Sequence, residues 1–534
     1  PRLAQGADSS ARLTYEPRWV PVGALAQRPA RDTVPWIDVD GTDPAACLRF
    51  LRGRLTHPEA TAALLCRLSP LRTPSQHCAD LFILLKAAVE EDLRGRLVFV
   101  LPARDNAGLV AGMTRSVAQE EPGLRLQRVY LPELPDVGDP PDWLDRILRD
   151  VVSDHPREVD LLYRDGMLLA QRLLPAALPD LPSGILGRRA GSYLLTGGTG
   201  GIGRMVTDWL IHDQDVDPSR VIVAGRKEPG DLRRGVRFCH LDLACPPTPE
   251  GFAEQTGPLA GIVHLAGALD DGILRNLDVS RFPAVLAPKL ALAYLAEVGR
   301  RTAAPWIVAF SSTSSLLGAA GQANYAAANG WVDARAMWPP PTGAEPYVVS
   351  INWGSWGEVG MAARDQRALA TARRNGEAPL RSGAALRAFG QVIAAILAGT
   401  SGGRNFAVCD VDWRQPVWSD LPLVSALSAP APTVGSPADG RVDVPPGTGP
   451  SDGSAAPKGA DPSTASGDEI RSFLSAYVHR WEPTKRLADL GLDSLDFARM
   501  RSDFARKFGR DVALAAIARP DQSLSDLYAF LSEQ

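Results

Sequence analysis

Two side chains that could act on a carbonyl group lie close together in this sequence. Ser312 follows an apolar stretch, residues 306–310, that predicts a strand, and Tyr325 lies in an Ala-rich stretch that predicts the next helix. A hydroxyl at the carboxyl end of a strand and a phenol on the following helix can converge where ligands bind in open α/β sheets. Ser312 could there donate a hydrogen bond to a carbonyl oxygen, and Tyr325 could protonate it. The alternative is a Ser-rich turn followed by a tyrosine that only packs.

A glycine-rich turn upstream favours the chemical interpretation. Between a predicted strand, residues 193–196, and a predicted helix, residues 204–212, the glycines match G-x-G-x-x-G. Without side chains the backbone can approach a pyrophosphate, whose charge the helix N-terminus attracts. We therefore expect dinucleotide contacts from this turn and from the ends of the next strands: Thr196, Gly197, Thr199, Gly200, Gly201, Ile202, Gly203, Gly225, Arg226, Asp242, Leu243, Ala266 and Gly267.

Arg226 indicates which dinucleotide is bound. It follows the second predicted strand, residues 220–224, where an NAD enzyme usually has Asp or Glu to hold the ribose 2′-hydroxyl. An arginine can bind a 2′-phosphate there, which favours NADP. The alternative is a solvated arginine on the surface.

The composition excludes several classes of protein. A net charge of −4 gives no basic footprint for nucleic acid, and no apolar run has the length needed to cross a bilayer. The six cysteines form no CxxC pair, and no spacing is typical of metal ligands, so we expect reduced thiols, no metal site and a cytoplasmic protein. The chain has no signal peptide and begins at Pro1, which indicates a fragment or a processed chain.

The order of strand and helix patterns predicts an α/β protein with two units. Residues 1–185 have a βαβ rhythm and a hairpin around residues 164–166, but no glycine-rich phosphate turn, so we interpret this unit as structural. Residues 186–424 contain seven predicted strands and predict a Rossmann-type doubly wound parallel sheet, closed by residues 405–413. A charged, Ala-rich stretch that ends near Pro379 could be a lid.

The C-terminal fifth of the chain has a different composition. Residues 425–467 are rich in Pro, Gly, Ser, Ala and Asp, and such a stretch is expected to be a disordered linker. Residues 468–534 predict a small all-α helical bundle, in which Ser494 precedes a helix predicted over residues 496–508. Taken alone, Ser494 could be only the N-cap of that helix.

Together these motifs resemble a short-chain dehydrogenase/reductase, and more narrowly the ketoreductase of modular type I polyketide synthases. Most short-chain dehydrogenases have a lysine four residues after the tyrosine, where this chain has Asn329. In polyketide ketoreductases the lysine comes instead from the preceding helix, in a Pro-Lys pair that Pro288-Lys289 matches. The resemblance implies a catalytic set of Tyr325, Ser312, Lys289 and Asn329, in which Lys289 lowers the pKa of Tyr325. It also implies that the first unit is a truncated Rossmann structural subdomain without cofactor.

The resemblance extends to stereocontrol and to the C-terminal unit. Leu269-Asp270-Asp271 matches the family's marker for D-configured hydroxyls, and Leu317 stands where the opposite class has a tryptophan. The segment 491–495 resembles the acyl carrier protein motif, which implies 4′-phosphopantetheine attached to Ser494.

The function that the resemblance implies is NADPH-dependent reduction of a β-ketoacyl thioester on the carrier to a D-configured β-hydroxyacyl thioester. Its implied partners are upstream ketosynthase and acyltransferase domains and a phosphopantetheinyl transferase. Two other hypotheses remain: an inert reductase-like scaffold beside a working carrier, and a short-chain dehydrogenase that acts on free small alcohols or ketones. Acidic and basic residues are roughly balanced in the carrier region, so no strong electrostatic docking patch is predicted.

Overall fold

The computed structural model of the chain describes residues 13–24, 34–40, 43–134, 143–155, 157–339, 345–360, 372–373, 375–399, 403–428 and 467–478, and most of 481–533. Within that last range, residues 491, 493, 509, 511, 513, 518, 520 and 521 are outside the description. Most of the predicted lid, residues 361–371, and most of the predicted linker, residues 429–466, therefore lie outside the described residues.

Fourteen strands form one continuous sheet that both predicted units share. Their order is β10-β9-β8-β11-β12-β13-β15-β1-β7-β6-β5-β4-β3-β2, and β14 and β16 form a second sheet. The strands are β1 (Thr14–Ala24), β2 (Trp36–Asp38), β3 (Thr56–Leu65), β4 (Arg94–Pro102), β5 (Leu124–Leu131), β6 (Asp160–Arg164), β7 (Met167–Pro175), β8 (Ser192–Thr196), β9 (Val221–Gly225), β10 (Arg237–His240), β11 (Leu259–His264), β12 (Trp306–Ser312), β13 (Tyr347–Trp353), β14 (Glu377–Ala378), β15 (Asn405–Val408) and β16 (Asp410–Val411).

Strand order explains why only one half of this sheet has nucleotide-binding motifs. In the second half β8 lies between β9 and β11, so the order of the parallel strands reverses there. Such a switch point opens a crevice at the carboxyl ends of the strands. In the first half β2, β3, β4, β5 and β6 follow one another without a reversal. The first half therefore has the predicted βαβ rhythm and hairpin but lacks the crevice.

The junction between the two halves differs from the prediction. β15 does not close the sheet, because β1 pairs with it antiparallel on one side and with β7 on the other. The predicted strand over residues 405–413 is also divided: β15 stays in the large sheet, while β16 pairs with β14. The first strand of the chain thus joins the two units into one sheet.

Helices cover both faces of the sheet. Those of the first half are α1 (Pro44–Arg52), α2 (Pro74–Glu90), α3 (Ala107–Glu120) and α4 (Leu144–Asp154). Those of the second half are α5 (Gly201–His212), α6 (Pro249–Thr256), α7 (Phe282–Leu290), α8 (Leu292–Arg301), α9 (Thr313–Leu317), α10 (Ala323–Met337), α11 (Ser382–Ala398), α12 (Pro416–Ser419) and α13 (Ser425–Ser428). One apolar core on a single face contains side chains from α2 and α3 and from α7, α8 and α10, so the core also crosses the junction.

Helices α3 and α10 pack backbone against backbone. A Cβ atom added at Gly112 would lie 1.9 Å from the carbonyl oxygen of Ala326, and one added at Gly108 would lie 2.0 Å from that of Gly330. No larger residue fits at either glycine without moving a helix. Because α10 carries Tyr325, the first unit directly supports the helix that holds the predicted proton donor.

One helical run in this core is long and apolar enough to cross a membrane by length and composition alone. It covers Val279–Arg301, so the prediction that no run has this length was wrong. The run is assembled from a 3-10 turn (Val279–Arg281) followed by α7 and α8, and more than half of its apolar window is buried inside the protein. It contains Lys289, which faces the cleft described below.

The C-terminal unit is helical, as predicted. Its helices are α14 (Gly467–Leu474), α15 (Ser494–Phe508), α16 (Leu514–Ile517) and α17 (Leu524–Ser532). Their apolar side chains form a core around Phe473, Met500 and Phe504, which Ile273 of the second unit also joins. Helix α15 begins at Ser494 itself, two residues before the predicted start.

Candidate active site

Three of the four predicted catalytic side chains line one cleft of about 330 Å³. Ser312 lies at the end of β12, Lys289 near the end of α7 and Tyr325 in the first turn of α10. Ser312 Oγ accepts hydrogen bonds from the backbone N–H of Ser314 at 3.2 Å and from its hydroxyl at 3.0 Å. Both of these contacts use Ser312 as an acceptor, so its own proton can be donated to the Tyr325 phenol or to a carbonyl oxygen in the cleft.

Asn329 lies one turn after Tyr325 and is fully buried. Its Nδ2 donates to the backbone oxygen of Tyr325 at 2.9 Å, while its Oδ1 has no hydrogen-bond partner among the described residues. Lys289 Nζ donates to the backbone oxygen of Phe310 at 2.5 Å. An ammonium has three N–H donors, so Lys289 can bind further acceptors.

Burial dominates the acid–base properties of the pair that would move a proton. It raises the pKa of Tyr325 above its usual value, although Asn329 and Ser312 oppose that shift. Burial lowers the pKa of Lys289 to about 8, although the negative charge of Asp333 opposes this shift. We expected Lys289 to lower the pKa of Tyr325, but Lys289 is not among the groups that shift it. The ammonium is held on the Phe310 carbonyl instead.

A buried carboxylate below the cleft was not predicted. Asp333 accepts hydrogen bonds from Ser350 Oγ at 2.5 Å and from Asn352 Nδ2 at 2.7 Å. Ser315 Oγ lies 2.5 Å from Asp333 and 2.7 Å from the backbone oxygen of Ser312. This network fixes the backbone at the end of β12, and its charge favours the protonated form of Lys289. The polar residues Tyr325, Asn329 and Asp333 recur every four positions, which is the one sequence signal that could have identified Asp333.

Glu120, at the end of α3, was also not predicted from the sequence. Its two carboxylate oxygens accept hydrogen bonds from the backbone N–H groups of Leu274 at 2.7 Å and Gly321 at 2.8 Å. Burial raises its pKa to about 7, although both backbone donors oppose the shift. A side chain of the first unit thus connects the loop before Tyr325 with the loop that contains the predicted stereocontrol residues.

Two of the three predicted stereocontrol residues, Leu269 and Asp271, line the cleft. Asp271 accepts a hydrogen bond from Gln322 Nε2 at 2.8 Å, three residues before Tyr325. Asp270 pairs with Arg281, and its backbone oxygen accepts from Asn324 Nδ2 at 2.8 Å. The loop is therefore fixed against the start of the Tyr325 helix.

The predicted dinucleotide residues lie at the carboxyl ends of β8, β9, β10 and β11. Helix α5 begins right after Gly200, and no side chain among the described residues caps its first turn, so its N–H groups can bind an anion. A Cβ atom at Gly203 would lie 2.4 Å from the Cα of Gly198, so the turn cannot close around a larger residue. Arg226 is exposed after β9, and Ile202 and Gly267 line the same cleft as Tyr325. These residues fit a dinucleotide with a 2′-phosphate.

No group of three or more His, Cys, Asp or Glu side chains in the described part of the chain could hold a metal ion.

The carrier-like unit does not stand apart from the rest of the molecule. Helix α15 packs against α3, and Arg501 forms an ion pair with Glu121 at the end of α3. No strong electrostatic docking patch was predicted, and the charged part of this contact is one buried ion pair. Overall charge balance did not reveal it because the contact depends on single charges that become buried.

Comparisons with known proteins agree with this geometry. A model of the KR domain matches residues 191–358, and a model of the phosphopantetheine attachment site matches residues 469–531. The polyketide synthase GfsA of Streptomyces halstedii is 32% identical over 444 residues, which cover 74% of this chain and 6% of that protein. This chain is a ketoreductase and carrier region of a modular polyketide synthase. A phenolphthiocerol/phthiocerol polyketide synthase of Mycobacterium tuberculosis is 31% identical over 54% of the chain and 17% of its own length. The ketoreductase and its carrier thus span only a small part of these relatives.

Solved structures agree with the fold of the ketoreductase. An A1-type ketoreductase superposes with a TM-score of 0.64 at 26% identity and covers 78% of this chain and 98% of its own. The ketoreductase from the first module of phoslactomycin biosynthesis in a Streptomyces species gives a TM-score of 0.61 at 25% identity, covering 77% of this chain and 98% of its own. A C2-type ketoreductase is also similar, at 20% identity. The shared fold therefore does not discriminate between ketoreductase types.

Proposed function

We propose that the ketoreductase reduces a β-ketoacyl thioester, held on its own carrier domain, to a β-hydroxyacyl thioester. The observation that most supports this proposal is that Ser312, Lys289 and Tyr325 line one cleft together with Ile202 and Gly267 of the glycine-rich side. Bound NADPH would supply the hydride that the β-carbon accepts. The side chains of this protein would then act on the carbonyl oxygen.

Each catalytic residue has a separate part in this reaction. Ser312 donates a hydrogen bond to the carbonyl oxygen, and Tyr325 donates a proton to the same oxygen as negative charge develops on it. Lys289 returns a proton toward Tyr325, and Asn329 orders the groups between them. Asp333 is a positioning residue, because it fixes the end of β12 and keeps Lys289 charged.

The remaining parts of the proposal concern the carrier and its surroundings. Ser494 bears 4′-phosphopantetheine, attached by a phosphopantetheinyl transferase, and the Leu269-Asp270-Asp271 loop directs formation of a D-configured hydroxyl. Ketosynthase and acyltransferase domains of the same or a partner chain supply the β-ketoacyl group. The free cysteines of the described residues support a cytoplasmic location.

The test of this function is the loss of NADPH absorbance with a β-ketoacyl thioester, followed by chiral analysis of the product. An inert scaffold would consume no NADPH. A dehydrogenase for small free ketones would prefer those ketones to the thioester. An L-configured product would contradict the stereochemical part alone.

Replacing Arg226 by alanine should weaken NADPH binding selectively. A hydrogen bond to a charged group contributes about 1.5–3 kcal/mol, so we expect the KM for NADPH to rise about 10- to 100-fold. The KM for NADH should change little, because NADH lacks the 2′-phosphate. The matched control is Arg300→Ala, since Arg300 is an exposed arginine paired with Glu297 on α8. Equal losses for both nucleotides would contradict the phosphate role.

The rate of reduction should fall as the pH rises through the pKa of Lys289. That pKa lies at about 8, so the ammonium needed to return a proton disappears above it. Asp333 favours the charged form, so Asp333→Asn should move the inflection of the kcat profile to lower pH. A profile measured with saturating NADPH checks both points. An inflection that is absent near pH 8, or that moves upward in Asp333→Asn, would contradict the role of Lys289.

A further inference from the structure

The carrier domain rests on the ketoreductase by one face of the helix that begins at Ser494. This helix, α15, packs against α3 of the structural subdomain. The contact has a charged part at Glu121 and an apolar part at Ile273. Both parts lie close to the loop that contains the predicted stereocontrol residues.

The charged part is a buried carboxylate between two guanidinium groups. Glu121 accepts a hydrogen bond from Arg275 Nε at 3.1 Å and also pairs with Arg501 of the carrier. The side chain of Arg501 is 1% exposed, and that of Glu121 is 6% exposed. Burying either charge alone would be costly, so the two must be buried together. The surface around Glu121 is thus complementary in charge to Arg501 of the carrier.

The apolar part inserts a ketoreductase side chain among those of the carrier. Ile273 is 4% exposed and belongs to the same apolar cluster as Phe497, Met500 and Phe504 of the carrier. Its neighbour Leu274 belongs to the ketoreductase core and has its N–H held by Glu120. The contact therefore has a buried apolar centre, and the loop that supplies it is anchored to the ketoreductase through Leu274.

The helix that makes this contact also reaches the active-site cleft. Asp503, two residues after Arg501, lines the cleft that contains Tyr325 and Ser312. Ser494 begins the same helix two turns before Arg501, about 10 Å away along the axis at 1.5 Å per residue. The proposed attachment residue thus begins a helix that also contributes Asp503 to the lining of the cleft.

We propose that this contact is the docking surface from which the carrier domain of this chain presents its acyl thioester to the ketoreductase. Glu121, Arg275 and Ile273 receive Arg501 and the apolar side of the Ser494 helix. The proposal rests on the proposed function, because it identifies how that reaction obtains its substrate. It also implies selectivity between carriers. A carrier with an acidic residue in place of Arg501 would be repelled by the like charge of Glu121 and would bind this surface more weakly.

The test compares two forms of one substrate in the full chain. The carrier is loaded with a β-ketoacyl phosphopantetheine group and reduced in a single turnover, and the same acyl group is supplied separately as a diffusible N-acetylcysteamine thioester. We expect Arg501→Ala to slow reduction of the carrier-bound group about tenfold or more and to leave the diffusible substrate unaffected. The matched control Arg519→Ala removes an exposed arginine of the carrier and should change neither rate. Loading of each variant, followed by intact mass, shows that the carrier is folded.

A double-mutant cycle with Glu121→Gln tests the pair itself. If the two side chains act together, the double variant reduces the carrier-bound group no more slowly than Arg501→Ala. Wild-type rates for carrier-bound substrate in Arg501→Ala, or equal losses for both substrates, would overturn the docking role while the proposed function stands. If the wild-type chain reduces neither substrate, the proposed function fails, and the docking role fails with it.

Discussion

The Tyr325→Phe variant should lose at least about 10²-fold in kcat for reduction of a β-ketoacyl thioester. The substitution removes only the phenol O–H, and the ring stays packed against the core of α10 and its neighbours. The carbonyl oxygen would keep the hydrogen bond from Ser312 but lose its proton donor. The measurement is the initial rate of NADPH consumption at saturating concentrations of both substrates, together with the melting temperature.

A second tyrosine supplies the matched control. Tyr294 also has a buried phenol, and its hydroxyl has no hydrogen-bond partner among the described residues. Tyr294→Phe should therefore keep its activity and its melting temperature. Full turnover in Tyr325→Phe would rule out this residue as the proton donor. A loss in both variants would instead indicate that the fold is sensitive to either change.

The Ser494→Ala variant should lose all reduction of carrier-bound substrate while it still reduces a diffusible thioester. Without the hydroxyl there is no attachment point for phosphopantetheine, so the carrier cannot hold an acyl group. The substitution leaves Lys289, Ser312 and Tyr325 of the ketoreductase cleft in place, so the cleft should remain intact. Intact mass after treatment with a phosphopantetheinyl transferase measures attachment, and NADPH consumption with the two substrate forms measures activity.

Ser475→Ala is the control for this variant, because Ser475 is an exposed carrier serine whose hydroxyl donates to the backbone oxygen of Arg471. It should be loaded and reduced like the wild type. Attachment that persists in Ser494→Ala would assign the modification to another residue. Loss of activity toward the diffusible thioester as well would mean that the substitution disturbs more than the attachment point.

The sequence was sufficient to locate the chemistry because that chemistry depends on local patterns. The glycine turn follows a strand and opens a helix within a dozen residues, and Ser312 and Tyr325 are separated by a single loop. Lys289 required the family resemblance, since it lies far from Tyr325 in sequence and Asn329 occupies the expected position. Each of these residues lies at the end of the strand or on the helix that was predicted for it.

The supporting residues could not be predicted, because their partners are distant in the chain. Glu120 binds backbone groups more than 150 residues away, and nothing near it indicates which ones. Asp333 is one polar residue in an Ala-rich helix, and its partner Asn352 lies on the next strand. Arg501 and Glu121 are 380 residues apart, and only burial distinguishes their charges from the many exposed ones.

The position of β1 decides where this region can be cut for transfer between synthases. The KR family match ends at residue 358, but β15 lies beyond that point and pairs with β1 near the start of the chain. A hybrid that takes only the matched segment would leave both strands behind and expose the open edge of β13, a template for aggregation. Grafts of the reductase should therefore keep residues 13–428 together, with the joint to a foreign carrier made within residues 429–466.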